Sequence, residues 1–184
     1  PTGNVTADKF LKVASVSGSG TTGIGQLSFA DAGGITMAQQ WRITADASGD
    51  NTPLSSNWEK ADTDGAGYIG SDMTESSGIF TFPSTGIYYI EFQCSVYTQS
   101  TNYNNVTIQT TTDNSTYSSA SEGYNFLNSN SQYSSTSVSF IFDVTDTSTH
   151  KVRFVSNQQD NSAVTMGDTN NQRTGATFIR LGDT

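Results

Sequence analysis

The side chains able to do chemistry are few in this chain, and they stand apart. His150 is the sole histidine and Cys94 the sole cysteine. A serine nucleophile needs an imidazole base with a carboxylate behind it. His150 instead follows a turn at 146–149, beside Lys151 at a strand edge, and the chain has no Gly-x-Ser-x-Gly elbow. One histidine also excludes the usual multi-histidine zinc sites. Cys94 alternates with Phe92 and Val96 on an apolar strand face. It reads as a small buried hydrophobe, and being alone it forms no intrachain disulfide. Gly18-Ser19-Gly20-Thr21-Thr22-Gly23 has the letters of a dinucleotide fingerprint, but no helical pattern follows to meet a pyrophosphate, so the match is accidental. Asp62-Thr63-Asp64-Gly65 opens like a calcium loop, with two alternating carboxylates for one hard cation. The bidentate acid that closes such loops is missing. A surface turn is expected there, and weak calcium binding through Asp62 and Asp64 is the one cofactor expectation. No carboxylate pair singles itself out for glycoside cleavage. The chain reads as a non-enzyme.

A binding chemistry is more visible. Tyr124-Asn125-Phe126-Leu127-Asn128-Ser129-Asn130-Ser131-Gln132-Tyr133 interleaves aromatics with amides. Rings stack on the apolar faces of sugars while amides bond their hydroxyls, so Tyr124, Asn125, Phe126 and Tyr133 are candidate contacts to a glycan or a partner. The alternative is that Phe126 and Leu127 tuck under a solvated loop. Tyr97, Tyr103 and Tyr117 add aromatics nearby in sequence, suited to a subunit interface.

These residues must be positioned by strands. The organising stretch is 78–97: Phe80 and Phe82 alternate with small or polar neighbours, Pro83-Ser84-Thr85-Gly86 breaks the run, and alternation then resumes. Tyr88, Ile90, Phe92, Cys94 and Val96 share one face; Tyr89, Glu91, Gln93 and Ser95 share the other. One packed face and one wet face predict an antiparallel sheet. Further strands are expected at 40–44, around 67–70, at 106–111 and 116–121 about an Asp113-Asn114-Ser115 turn, at 137–145, at 150–156 and at 174–181. Residues 47–57 read as a polar loop. Many short strands without a helical period make an all-β sandwich, jelly roll or barrel.

Residues 1–36 differ in composition. A strand over 4–13, a flexible loop over 17–25, a short strand over 26–29 and a Gly33-Gly34 hinge are expected. Phe10, Leu11, Leu27 and Phe29 are too few to build a core from one copy. The segment therefore reads as an extended N-terminal arm that orders against a partner, or as a frayed terminus, followed by one domain over 37–184.

The net charge is −9, with eight scattered basic residues. A nucleic-acid partner needs clustered Lys and Arg, and is excluded. No apolar run approaches the roughly 20 residues that cross a bilayer, so no membrane insertion is expected, and the first residues lack a secretory pattern.

Phe80, Gly86, Tyr88, Ile90 and Phe92 at their spacing resemble the signature of the C1q/TNF-like jelly rolls, with Ile90 where members usually carry Phe. Gln40-Trp41-Arg42-Ile43-Thr44, Ser56-Asn57-Trp58-Glu59 and Met73-Thr74-Glu75-Ser76-Ser77-Gly78-Ile79-Phe80-Thr81-Phe82-Pro83 resemble C1q-like proteins of marine bacteriophages. The resemblance covers residues 37–184. It implies a C1q/TNF-like jelly-roll sandwich and a homotrimer located in the virion. As a fibre, spike or capsid-decoration protein it would be held by its arm to other virion proteins of the capsid or tail. The alternatives within it are a receptor-binding module for a host surface glycan and a glycan-cleaving tailspike.

Overall fold

The computed structural model describes residues 9–17, 24–31, 34–98, 103–127, 132–159 and 162–184. The chain divides into two compact units, Pro1–Gly34 and Ile35–Thr184. In the first, β1 (Lys9–Ser17) and β2 (Ile24–Asp31) pair as an antiparallel hairpin. Their register sets Leu11 opposite Phe29 and Val13 opposite Leu27, then slips between Val13 and Ser15. Both strands outrun the apolar pattern, because cross-strand pairing carries the serine-rich and glycine-containing ends along. Residues 4–8 of the expected first strand, the glycine motif at 18–23 and Gly33 lie outside the described residues.

The second unit is a sandwich of two antiparallel sheets, without a helix among the described residues. The small sheet is built from β6 (Thr74–Ser76), β7 (Ile79–Thr81), β9 (Tyr103–Thr111), β10 (Ser118–Phe126) and β12 (Lys151–Gln158), in the order β10-β9-β12-β7-β6. The large sheet comprises β3 (Met37–Ile43), β4 (Ala47–Ser48), β5 (Trp58–Lys60), β8 (Gly86–Thr98), β11 (Gln132–Val144), β13 (Ala163–Thr165) and β14 (Gly175–Gly182). Its axis is β8. One side of β8 pairs with β11 from Gly86↔Val144 to Thr98↔Gln132. The other side pairs with β14 over Ile87 to Gln93 and with β13 over Val96 to Thr98. β14 in turn lies between β8 and β3.

The alternation predicted for β8 holds: Tyr88, Ile90, Phe92, Cys94 and Val96 are fully buried, and their odd-numbered neighbours are half-buried. The Pro83–Gly86 corner passes the chain between layers, since β7 belongs to the small sheet and β8 to the large one. Gly86 sits at φ 145°, where a Cβ would stand 2.6 Å from the Gly182 carbonyl oxygen, so glycine is required. Phe80 is the hub of the core. Its ring meets Trp58 at 5.0 Å, Phe178 at 5.3 Å, and Trp41 and Phe154 at 5.4 Å, mostly edge to face.

Several expectations need correction. The strand expected at 40–44 starts at Met37, because inward Gln39 and outward Arg42 are both buried and disguise the alternation. Residues 47–57 are more than a polar loop. Ala47 and Ser48 pair with β13, and Leu54, 1% exposed, enters the core while its N–H donates to the Phe154 carbonyl. Residues 67–70 make a single bridge, Ile69 to Ala38, and not a strand. β5, β6 and β13 are not among the expected strands; at three residues each they are too short to show a period.

Candidate functional site

The side chains with catalytic or metal-binding chemistry are tied into the fold. The His150 ring is 9% exposed and stacks on Phe142 at 5.6 Å. Its Nε2 lies 3.3 Å from the Thr145 hydroxyl and its Nδ1 3.1 Å from the Thr149 hydroxyl, so the imidazole ties a turn to β11. Cys94 is fully buried and donates to Ser156 Oγ at 3.5 Å; burial pushes its thiol up to about 11, which keeps it neutral. Asp62, half of the expected calcium pair, already has a cation. The buried guanidinium of Arg42 reaches Asp62 Oδ1 at 2.7 Å, Glu59 Oε1 at 2.8 Å and Thr63 Oγ1 at 2.9 Å. Asp64 and Gly65, both at positive φ, turn the chain so that the Ala66 N–H donates to the Thr63 carbonyl. The loop is therefore a turn buttressed by Arg42, and its first carboxylate is compensated without calcium. Arg42 was not foreseen in this role; its place in the strand spacing gave no sign of burial.

The strongest carboxylate perturbations are likewise turn chemistry. Asp113 accepts from the Thr116 and Ser115 N–H groups at 2.7 and 2.8 Å and from the Thr111 hydroxyl at 2.8 Å, which holds its carboxyl well below the usual range. Asp146 is lowered by the Ser148 hydroxyl and N–H, and Asp168 by the Asn170 and Asn171 N–H groups.

The four candidate contacts do not converge. Tyr124 and Phe126 point outward from β10 on the small sheet, 60% and 74% exposed. Asn125 between them points inward and is buried. Its Nδ2 reaches the Cys94 carbonyl at 3.5 Å and Asn104 Oδ1 at 3.4 Å, and its Oδ1 accepts from Ser134 Oγ at 3.0 Å. It cannot also hold a sugar. Tyr133 lies on the other sheet, with its ring 4.8 Å from that of Tyr97. Of the expected tuck under the loop, Leu127 is buried but Phe126 is not.

The outer face of the large sheet has its own pattern. Register aligns Ile69, Ala38, Ile179, Tyr89 and Ile141 in one apolar row across the sheet. Next to it run polar rows, Gln40, Thr177, Glu91 and Ser139, then Arg42, Gly175, Gln93 and Ser137. Apolar contacts return at the far end with Val164, Tyr97 and Tyr133.

A two-sheet antiparallel sandwich of this form defines a TNF-like jelly roll. Eiger TNF from S. frugiperda matches it with a TM-score of 0.61 at 13% identity, covering 82% of this chain and 95% of that one. Murine APRIL at pH 8.5 matches with a TM-score of 0.57 at 13% identity, covering 79% and 98%. These likenesses establish the fold. No protein-family model matches the chain, and no curated protein is similar to it in sequence.

Proposed function

We propose that this chain is a homotrimeric, non-enzymatic virion protein of a bacteriophage, a fibre, spike or capsid-decoration protein. Its jelly-roll knob projects from the particle, and residues 1–36 anchor it to capsid or tail proteins. The observation that carries the trimer is the apolar row on the outer face of the large sheet. Ile69 and Ile141, at its two ends, are 50% and 60% exposed. Covering such a row removes apolar surface from water, at about 25 cal/mol per Å². Closed cyclic symmetry lets copies of one chain do this without leaving an open face. The polar rows beside it supply hydrogen-bonding groups that fix orientation. The C1q/TNF-like resemblance implies three copies, and the strings around Trp41, Trp58 and Phe80 support the phage setting.

The commitment of His150, Cys94 and Asp62 to structural partners supports a role without catalysis. Sedimentation velocity on the full chain tests the assembly. The wild type is expected as a trimer and Ile141→Asp as a folded monomer; a wild-type monomer at micromolar concentration sinks the trimer. Immunogold labelling of intact particles tests the location, and purified particles that carry no label would overturn it.

A further inference from the structure

The outer face of the small sheet carries a second surface, independent of the row argued to join subunits. Register places Phe126 opposite Tyr103, and in the next outward row Tyr124, Asn105 and Asn157 side by side across β10, β9 and β12. Tyr103 and Tyr124 stand edge to face, 6.0 Å between centroids at 71°. Tyr103 is 41% exposed, against 60% and 74% for Tyr124 and Phe126. Three large rings are thus presented to solvent, two of them nearly perpendicular to each other. Beside them are two amides whose orientation is fixed, since Asn105 Oδ1 accepts from Thr107 Oγ1 at 2.7 Å and Asn157 Oδ1 from Thr52 Oγ1 at 2.8 Å.

The platform is braced from beneath. Asn125, between the two β10 rings, is held by Cys94, Asn104 and Ser134. Asn104, next to Tyr103, donates to Ser156 Oγ at 2.9 Å and to the Asn157 carbonyl at 3.2 Å. The rings therefore stand on fixed strands, which is the arrangement a preorganised site requires.

The geometry points to a neutral saccharide chain as the ligand, held by Tyr103, Tyr124 and Phe126 with Asn105 and Asn157. Rings meet the apolar faces of sugar units, and amides one strand spacing away, about 4.8 Å, meet their hydroxyls. A protein partner would favour an apolar centre with a polar rim, whereas here the rings give way to amides within one row. Charge decides against an anionic ligand. Glu122 stands on the same face opposite Thr107, and the chain carries −9. The basic side chains on this side of β12 are both occupied, Arg153 by Gln109 Oε1 at 2.8 Å and the Tyr117 ring at 4.0 Å, and Lys151 by the Thr147 carbonyl at 2.6 Å. The same deficit of cations excludes single-stranded nucleic acid, which also stacks on rings.

The test is binding of the full chain to immobilised neutral oligosaccharides (glucan, galactan and mannan fragments), with sialylated and sulfated chains as controls. Retention on at least one neutral class is expected, weakened about tenfold by Tyr124→Ala and by Phe126→Ala. Tyr133→Ala, on the other sheet, should leave it unchanged. Melting temperature and sedimentation should be the same in all four proteins. No retention on any neutral class, or retention on the anionic controls alone, overturns the inference. So does equal binding by the two patch variants. Dissociation of those variants into smaller species would make the patch a subunit contact and overturn it as well. None of these outcomes depends on where on a particle the protein resides.

Discussion

Three strands of the sandwich change chemistry along their inward faces. β8 passes from the large Tyr88, Ile90 and Phe92 to the small Cys94 and Val96; β9 from Ile108 and Val106 to Asn104; β12 from Phe154 to Ser156 and Gln158. One half of the interior is thus a cluster of rings around Phe80. The other is a set of small polar groups around the Ser156 hydroxyl, which meets Asn104, Cys94 and Thr165, the last at 2.7 Å. The difference is one of directionality. Ring packing supplies most of the apolar burial and tolerates small shifts of position. Hydrogen bonds in a dry interior contribute less each, but they fix the strands that meet there. The surface above the polar half carries Tyr103, Tyr124 and Phe126, where fixed strands matter most for binding.

The sharpest way to break this comparison is truncation at the two hubs. Phe80→Ala should cost about 3–5 kcal/mol in urea denaturation, as large aromatic deletions in packed cores do. Glu91→Ala, on the outer face of β8, removes no core packing, should cost less than about 1 kcal/mol and serves as its control. Equal losses from those two would mean that the register of the large sheet is wrong. Ser156→Ala should fall between, at about 1–3 kcal/mol, because it leaves buried Asn104 and Thr165 short of a partner. If it matches Phe80→Ala, the polar half is as much a source of stability as the aromatic half, and the contrast fails.

The smallest effect is a pH dependence outside both halves. The folded pKa of Asp113 is depressed below its ordinary 3.8, chiefly by the Thr116 and Ser115 N–H groups. Its stabilisation is therefore complete above that ordinary value and is lost as pH falls through the depressed one. Asp113→Asn should be slightly less stable than wild type at neutral pH, with the gap closing in acid. A gap that widens on acidification would contradict the turn geometry.

The sequence made one kind of strand legible and hid another. β8 and the latter part of β11 were readable because their outer faces are mainly polar, so apolar and polar residues alternate. That test fails wherever the interior is itself polar. Asn104, Asn125 and Ser156 look like surface residues by type, and only the fold shows them buried. Conversely, Tyr124 and Phe126 look like core residues and face solvent. The candidate site was thus half legible: the aromatics on β10 could be named, but not that Asn125 supports them from the inside or that Tyr133 sits on the opposite sheet. Leu54 was missed for a related reason, as a lone apolar residue within a polar loop carries no period.

The position of β14 has a consequence in time. It fills the gap between β3 and β8, yet its first residue, Gly175, comes long after the last residues of both, Ile43 and Thr98; such non-local pairing is typical of slow β topologies. By contrast β10 follows its partner β9 directly, and β11 pairs with β8 from a shorter separation. The Ile87–Gln93 part of β8's other flank, and the facing flank of β3, have no partner in the sheet until residues 175–182 are made. Open flanks of this kind recruit strands from neighbouring chains. If copies associate through their outer faces as proposed above, the last strand decides whether neighbours meet as finished sandwiches or as tangled edges.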